Sequence, residues 1–163
     1  MLQAPDFENK IITQNQLKAK LDVIRSKQPL VFTNGCFDIL HRGHVTYLAQ
    51  ARALGQSMIV ALNTDASVKR QNKGSDRPIN CLEDRLAVIA SLESVDFVTY
   101  FDEDTPLELI KLIQPQILVK GGDWEIDKIV GSDYVKSYNG QVYSIPFIYD
   151  SSTTKLIKKI RNV

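Results

Sequence analysis

Cysteine is scarce in this sequence, with only Cys36 and Cys81 among 163 residues. Two thiols cannot build the disulfide framework of a small secreted domain, and a chain of this length needs none. Net charge is almost absent as well. The 20 Lys+Arg and 19 Asp+Glu leave +1, too little for the basic face of a general nucleic-acid binder, so any anionic ligand must be held by a local site. No apolar run approaches the roughly 20 residues that span a bilayer, and the start, Met1 to Glu8, lacks the basic-then-apolar order of a secretory signal. These absences predict a cytoplasmic protein with no membrane or nucleic-acid partner. Two phosphate-binding runs are also missing. There is no GxxxxGK[ST], which excludes a P-loop kinase, and no GxGxxG after the first predicted strand, which counts against a dinucleotide oxidoreductase.

What is present is a globular composition, 44% hydrophobic and 24% charged, enough for one domain. It is read as residues 11–163 behind an N-terminal extension, 1–10. Short apolar runs alternate with helical patterns. A helix is predicted from about Thr13, with Leu17, Leu21 and Ile24 on one face. Strands are predicted at 29–33, 58–62, 95–100, 117–119 and 141–145. Between them lie a helix carrying Tyr47, Leu48, Ala51 and Leu54 that stops at Gly55, a polar helical segment from Thr64 to about Arg70, and a helix capped by Asn80 with Glu83 three residues on. Thr105-Pro106-Leu107-Glu108 reads as a capping box that opens another helix, which Gln114-Pro115 ends. A short helix follows the fourth strand, and Ser151-Ser152-Thr153-Thr154 opens the last one. Apolar strands separated by helices predict a Rossmann-like α/β fold: a doubly wound parallel five-stranded sheet with helices on both faces. Ligands of such sheets sit outside the carboxyl ends of the strands.

Chemistry gathers at those ends. After the first strand comes Asn34-Gly35-Cys36-Phe37-Asp38-Ile39-Leu40-His41-Arg42-Gly43-His44, which holds both histidines of the chain. A helix start with exposed N–H groups favours an anion, and two imidazoles added there predict a phosphate cradle. After the fifth strand, four consecutive hydroxyl residues exceed what a cap needs and predict a second anion seat. After the fourth, Lys120-Gly121-Gly122-Asp123-Trp124 adds a cation, a flexible backbone and a carboxylate. Zinc held by Cys36, His41, His44 and Cys81 is the weaker reading, since no CxxC occurs and the His spacing is short.

The stretch GxFDxxHxGH, Gly35 to His44, resembles the signature of the nucleotidylyltransferase superfamily. Asn63-Thr64-Asp65, Arg77-Pro78-Ile79-Asn80, Glu83-Asp84-Arg85, the segment from Phe101 to Pro106, Lys120 to Trp124 and Ser152-Thr153-Thr154 are similar to one branch of it. That branch comprises the adenylyltransferases that make ADP-heptose from D-glycero-β-D-manno-heptose 1-phosphate for bacterial surface glycans. In many such proteins the domain is fused to a sugar kinase, and the length here is that of the transferase alone, so the sugar is expected to arrive already phosphorylated.

The resemblance implies an enzyme that uses ATP, a sugar 1-phosphate and Mg²⁺ bound with the ATP, and it implies a homodimer. His41 and His44 would bind the triphosphate and stabilise charge at the α-phosphorus, with Lys120 offsetting charge between donor and acceptor. Thr33, Asn34, Gly35, Cys36, Phe37, Gly43, Arg85 and Gly121 would surround the nucleotide, and Ser152, Thr153 and Thr154 would hold the outgoing phosphates. Asp38 would hold either a sugar hydroxyl or Lys120. Asn63, Asp65, Asp123 and Trp124 would face the substrate. By its charge and its position after the second strand, the Lys69 to Pro78 loop reads either as a solvated connection or as a cationic lid over the phosphates, with Lys73 and Arg77 as the lid's candidates. A cytidylyltransferase acting on glycerol 3-phosphate or a related alcohol phosphate shares the His motif and is the alternative within the enzyme class. Outside that class, the alternative is an inactive nucleotide-binding domain.

Overall fold

The structure is a computed structural model that describes residues 5–71, 76–149 and 153–161. Five strands, β1 (Leu30–Gly35), β2 (Ser57–Asn63), β3 (Phe97–Phe101), β4 (Ile117–Gly121) and β5 (Gln141–Ile145), form one sheet in the order β3-β2-β1-β4-β5. All four pairings are parallel, with Phe32 opposite Ile59 on one side of β1 and Leu118 on the other. The predicted doubly wound sheet is therefore observed.

Successive side chains of the central strands feed two cores. Val31, Met58, Val60, Leu62, Ile117 and Val119 belong to one, whereas Leu30, Phe32, Ile59, Ala61 and Leu118 belong to the other. This period-two division buries both faces and accounts for the near-continuous apolar runs. Helices α3 (Arg42–Arg52) and α5 (Leu82–Ala90) cover the first face through Tyr47, Leu48, Leu86 and Ile89. The second face is covered by α1 (Gln14–Leu17), α2 (Leu21–Ile24), α6 (Leu107–Ile113) and α7 (Ser132–Ser137). Helix α4 (Asp65–Arg70) follows β2, and α8 (Thr153–Arg161) is last. Strand β5 is half-exposed, since it has a neighbour on one side only. The β3 edge is covered instead, because Ile12 N donates to Val98 O at 2.8 Å and Thr99 Oγ1 donates to Ile12 O at 2.9 Å.

Four local expectations are corrected. The helix predicted from Thr13 is two short α-helical turns joined by a 3-10 turn at Lys18–Lys20. The N-cap of α5 is Cys81, not Asn80, because Asn80 is spent on the loop after β1, donating through N and Nδ2 to Asp38. At α6 the N-cap is Pro106, and no side chain caps it. Gly55 lies beyond the C-cap of α3, Ala53, and is not left-handed. It is required by proximity, since a Cβ there would stand 2.4 Å from Pro29 O. No helix among the described residues is long and apolar enough to cross a membrane.

Candidate active site

Strand β1 ends at Asn34-Gly35, and the loop that follows must turn sharply into α3. Phe37 makes that turn at φ 46°, a left-handed conformation that costs a non-glycine residue on the order of 1–3 kcal/mol unless its surroundings enforce it. Two ion pairs supply the enforcement, one fully buried and one between buried Arg85 and half-buried Asp65. The Asp38 carboxylate accepts Ile79 N at 2.9 Å and Asn80 N at 2.9 Å, and Arg77 Nε lies 2.5 Å from it. The Arg77 contact is ionic, since Nε has no well-aligned acceptor. Arg85 donates to Cys36 O at 2.7 Å, to Asp65 Oδ1 at 2.7 Å and to Asn80 O at 3.1 Å.

Beyond this loop His41 caps α3 and His44 sits in its first turn. Their rings stack, centroids 3.8 Å apart and planes 24° from parallel, and His44 meets the edges of Phe37 and Phe147 at 5.4 and 6.1 Å. Gly43 permits the stack, because a Cβ there would stand 3.0 Å from His41 Nδ1. Burial lowers the His44 pKa to about 4, with a smaller contribution from His41, and burial lowers His41 too. Both rings are therefore neutral at pH 7. Among the described residues neither Nδ1 has a hydrogen-bond partner although both are buried. Unpaired buried polar atoms are costly, so the stacked pair is held at some expense to stability. Approach of an anion would favour the protonated rings and offset the cost of their burial.

Lys120, next to last in β4, reaches Asn34 Oδ1 at 3.4 Å across the β1/β4 seam and lies 6.0 Å from the Trp124 ring centroid. A cleft opens on each side of it. One, about 560 Å³, is lined by Asn34, Gly35, Cys36, Phe37, His44, Gly121 and Phe147 among others. The other, about 550 Å³, shares Asn34, Lys120 and Trp124 and continues to Asn63, Asp104 and Thr105. Helix α8 is drawn to the same rim, since Thr153 Oγ1 donates to Ile39 O at 3.2 Å and the Arg42 guanidinium stacks 3.8 Å above the Tyr149 ring. Its N-terminus thus lies beside the loop that carries the His pair.

Of the predicted site residues, His41, His44, Asn34, Gly35, Cys36, Phe37, Gly43, Lys120, Gly121, Asn63 and Trp124 are brought together along this edge. Others have different work. Thr33 is fully buried and its hydroxyl bonds that of Tyr47, so it supports α3 and does not line a cleft. Asp38 reaches neither Lys120 nor the surface. Arg77 is buried with it, which removes it as a lid cation. Arg85 and Asp65 pair with each other, and Arg85 acts by holding the Cys36 carbonyl rather than by touching a nucleotide. Thr153 spends its hydroxyl on Ile39, leaving Thr154 exposed at the start of α8. Asp123 is exposed beside Trp124. Ser152 and Lys73 lie outside the described residues. Sequence reasoning missed Phe147, whose signal was an apolar residue two positions beyond β5, and it took Thr105 for a helix cap. Among the described residues no group of three His, Cys, Asp or Glu is placed to hold a metal ion.

Comparison with known proteins agrees with this geometry. The cytidylyltransferase-like family matches residues 32–159. The chain is 54% identical over 155 residues to D-beta-D-heptose 1-phosphate adenylyltransferase of Bordetella bronchiseptica, covering 95% of this chain and 96% of that protein. It is 52% identical over 156 residues to the bifunctional protein HldE of Ectopseudomonas mendocina, of which it spans only 33%. Among solved structures, the lipopolysaccharide core biosynthesis protein of Thermoplasma volcanium matches with TM-score 0.60 and 30% identity, covering 74% of this chain and 98% of that one. The pantoate-beta-alanine ligase of Francisella tularensis, solved with beta-gamma ATP and beta-alanine, shares the fold at TM-score 0.59 and 16% identity, covering 94% and 78%.

Proposed function

The chain belongs to the cytidylyltransferase-like family, and from that membership we propose that it transfers AMP from ATP to D-glycero-β-D-manno-heptose 1-phosphate, giving ADP-heptose and pyrophosphate. The observation that carries the reading is the 54% identity to a heptose 1-phosphate adenylyltransferase along nearly the full length of both chains. The stacked histidines at the start of α3 supply the chemistry such a reaction needs.

A phosphate oxygen of the sugar attacks the α-phosphorus of ATP, and the bond from that phosphorus to the pyrophosphate oxygen breaks. Negative charge grows on the departing pyrophosphate and on the non-bridging oxygens of the α-phosphate. His41 and His44 present ring nitrogens to those oxygens, aided by the N–H groups of the first turn of α3. The Lys120 ammonium stands where the two clefts meet and holds donor and acceptor phosphates together against their mutual repulsion. Exposed hydroxyl and backbone groups at the start of α8 receive the leaving phosphates. Positioning and electrostatics carry such a transfer, and the ion pairs Asp38/Arg77 and Arg85/Asp65 keep the loop rigid enough to provide both.

Mg²⁺ enters this reading as a companion of ATP. The side chains around the phosphates are imidazole, ammonium and carboxamide, so phosphate oxygens and water would be its ligands and no step is assigned to it. The reading also carries a cytoplasmic setting, where ATP and sugar phosphates are made, and a homodimer, the commonest assembly of such enzymes, which sedimentation analysis tests. The decisive experiment measures pyrophosphate release for each nucleoside triphosphate against a panel of sugar 1-phosphates and glycerol 3-phosphate. ATP with heptose 1-phosphate is expected to give the highest kcat/KM. A preference for CTP with glycerol 3-phosphate, or no release at all, would overturn the proposal.

A further inference from the structure

The cleft on the far side of Lys120 has no part in the nucleotide chemistry above, and its lining differs from that of its neighbour. The cleft beside His44 is walled by the rings of Phe37, Tyr47 and Phe147, which suits a flat base and its ribose. The other offers the Asn63 carboxamide, the Asp104 carboxylate, the Thr105 hydroxyl and the Trp124 indole, groups that recognise the hydroxyls and apolar face of a sugar. Trp124 is fixed at the shared rim, its Nε1 donating to Gly121 O at 3.1 Å and its backbone N to Ser144 Oγ at 2.9 Å. If the acceptor phosphate meets the α-phosphorus at Lys120, the ring attached to it must extend away from the nucleotide, into this second cleft.

Strand order then decides which residues meet which end of the sugar. Lys120 lies on β4, whereas Asp104 and Thr105 follow β3, three strand spacings away, or roughly 14 Å along the sheet edge before side chains reach inward. Because Lys120, Asp104 and Thr105 line the same cleft, their side chains shorten that span, and a heptose 1-phosphate would lie between them with its phosphate at one end and its exocyclic hydroxyls at the other. Asp104 is already oriented, its carboxylate accepting Arg70 Nε at 2.8 Å and keeping further lone pairs for a hydroxyl donor. Resting on the acceptor class proposed above, with Asn63 and Trp124 on the acceptor's side, we infer that Asp104 and Thr105 read its exocyclic hydroxyls, which makes them specificity-determining residues for the acceptor.

Trp124 is the only tryptophan in the chain and lines both clefts, so once a nucleotide analogue fills the first its fluorescence reports acceptor binding separately from turnover. Heptose 1-phosphate is titrated, in the presence of a non-hydrolysable ATP analogue, into wild type, Thr105→Val and Asp104→Asn, and KM for each substrate is measured alongside. Both variants are expected to raise the Kd and KM for heptose 1-phosphate about tenfold, the loss of one hydrogen bond to a committed partner, with KM for ATP within about twofold of wild type. A hexose 1-phosphate of the same ring configuration lacks the terminal hydroxyl and should lose less. A rise in KM for ATP instead, or an equal loss for hexose and heptose, overturns the inference. Saturable binding without pyrophosphate release would sink the proposed reaction and leave the subsite standing. Normal turnover with both variants unchanged would do the reverse.

Discussion

The Arg85 guanidinium donates to the Cys36 carbonyl at 2.7 Å from a side chain with no solvent exposure, so α5 grips the loop that carries the His pair. Its other bonds go to Asn80 O and to Asp65, whose side chain is 38% exposed. Arg85→Ala takes this donor from two carbonyls and leaves a cavity, so it is expected to lower unfolding free energy by about 2–4 kcal/mol, read from urea denaturation. Arg85→Lys keeps the charge but lacks the fork that serves three acceptors, and should recover less than half of that loss. Equal stability of wild type and Arg85→Lys would contradict the account.

His44→Ala tests the reaction rather than the scaffold. Removing one preorganised donor from a charge-stabilising site costs about 10²–10³ in kcat, and the ring's structural duties are its stack on His41 and its edge contacts with Phe37 and Phe147. Turnover should fall by that factor while circular dichroism and the thermal midpoint stay near wild type. Near-normal turnover would remove the His pair from the mechanism.

Acid should destabilise the protein through the same ring. Burial holds the folded-state pKa of His44 at about 4, below its ordinary 6.5. Between those values the unfolded chain binds more protons than the folded one, so stability falls as pH drops from about 6.5 towards 4, and the contribution is flat outside that window. Because the ring is only partly buried, the loss is on the order of 2 kcal/mol. The urea midpoint of wild type should decline more steeply over this range than that of His44→Gln. Parallel curves would refute the assignment.

Gly55→Ala should destabilise the fold by about 1–3 kcal/mol, the usual cost of overpacking, because the added Cβ meets Pro29 O at 2.4 Å. A thermal midpoint equal to or above that of wild type would show that the 53–57 turn relaxes without cost.

The sheet was legible because its strands are apolar enough to be buried on both faces and its helices are amphipathic. The His loop was legible because its chemistry is contiguous. What stayed hidden depends on partners distant in the chain. Asp38, Arg77 and Arg85 look like ligand-binding charges until β1 and α5 are packed together, when each proves to be neutralised by another. Asn80 has the composition of a cap, yet Asp38, 42 residues earlier, claims it. Thr105 matches a cap signature one residue ahead of the actual N-cap, Pro106, and its place on a cleft wall follows only from the strand order.

That order also governs when the site can exist. Asn34 and Lys120, which meet across the β1/β4 seam, are 86 residues apart in the chain, whereas β1 and β2 are joined by a short local crossover. Closing the longer loop costs more entropy and is the slower event. A half-folded chain with β1, β2 and β3 in place would already carry both histidines but would lack the lysine and the wall that divides the clefts. Catalytic competence should thus emerge late in refolding, after most of the secondary structure, and a regain of activity reports the closure of a single seam.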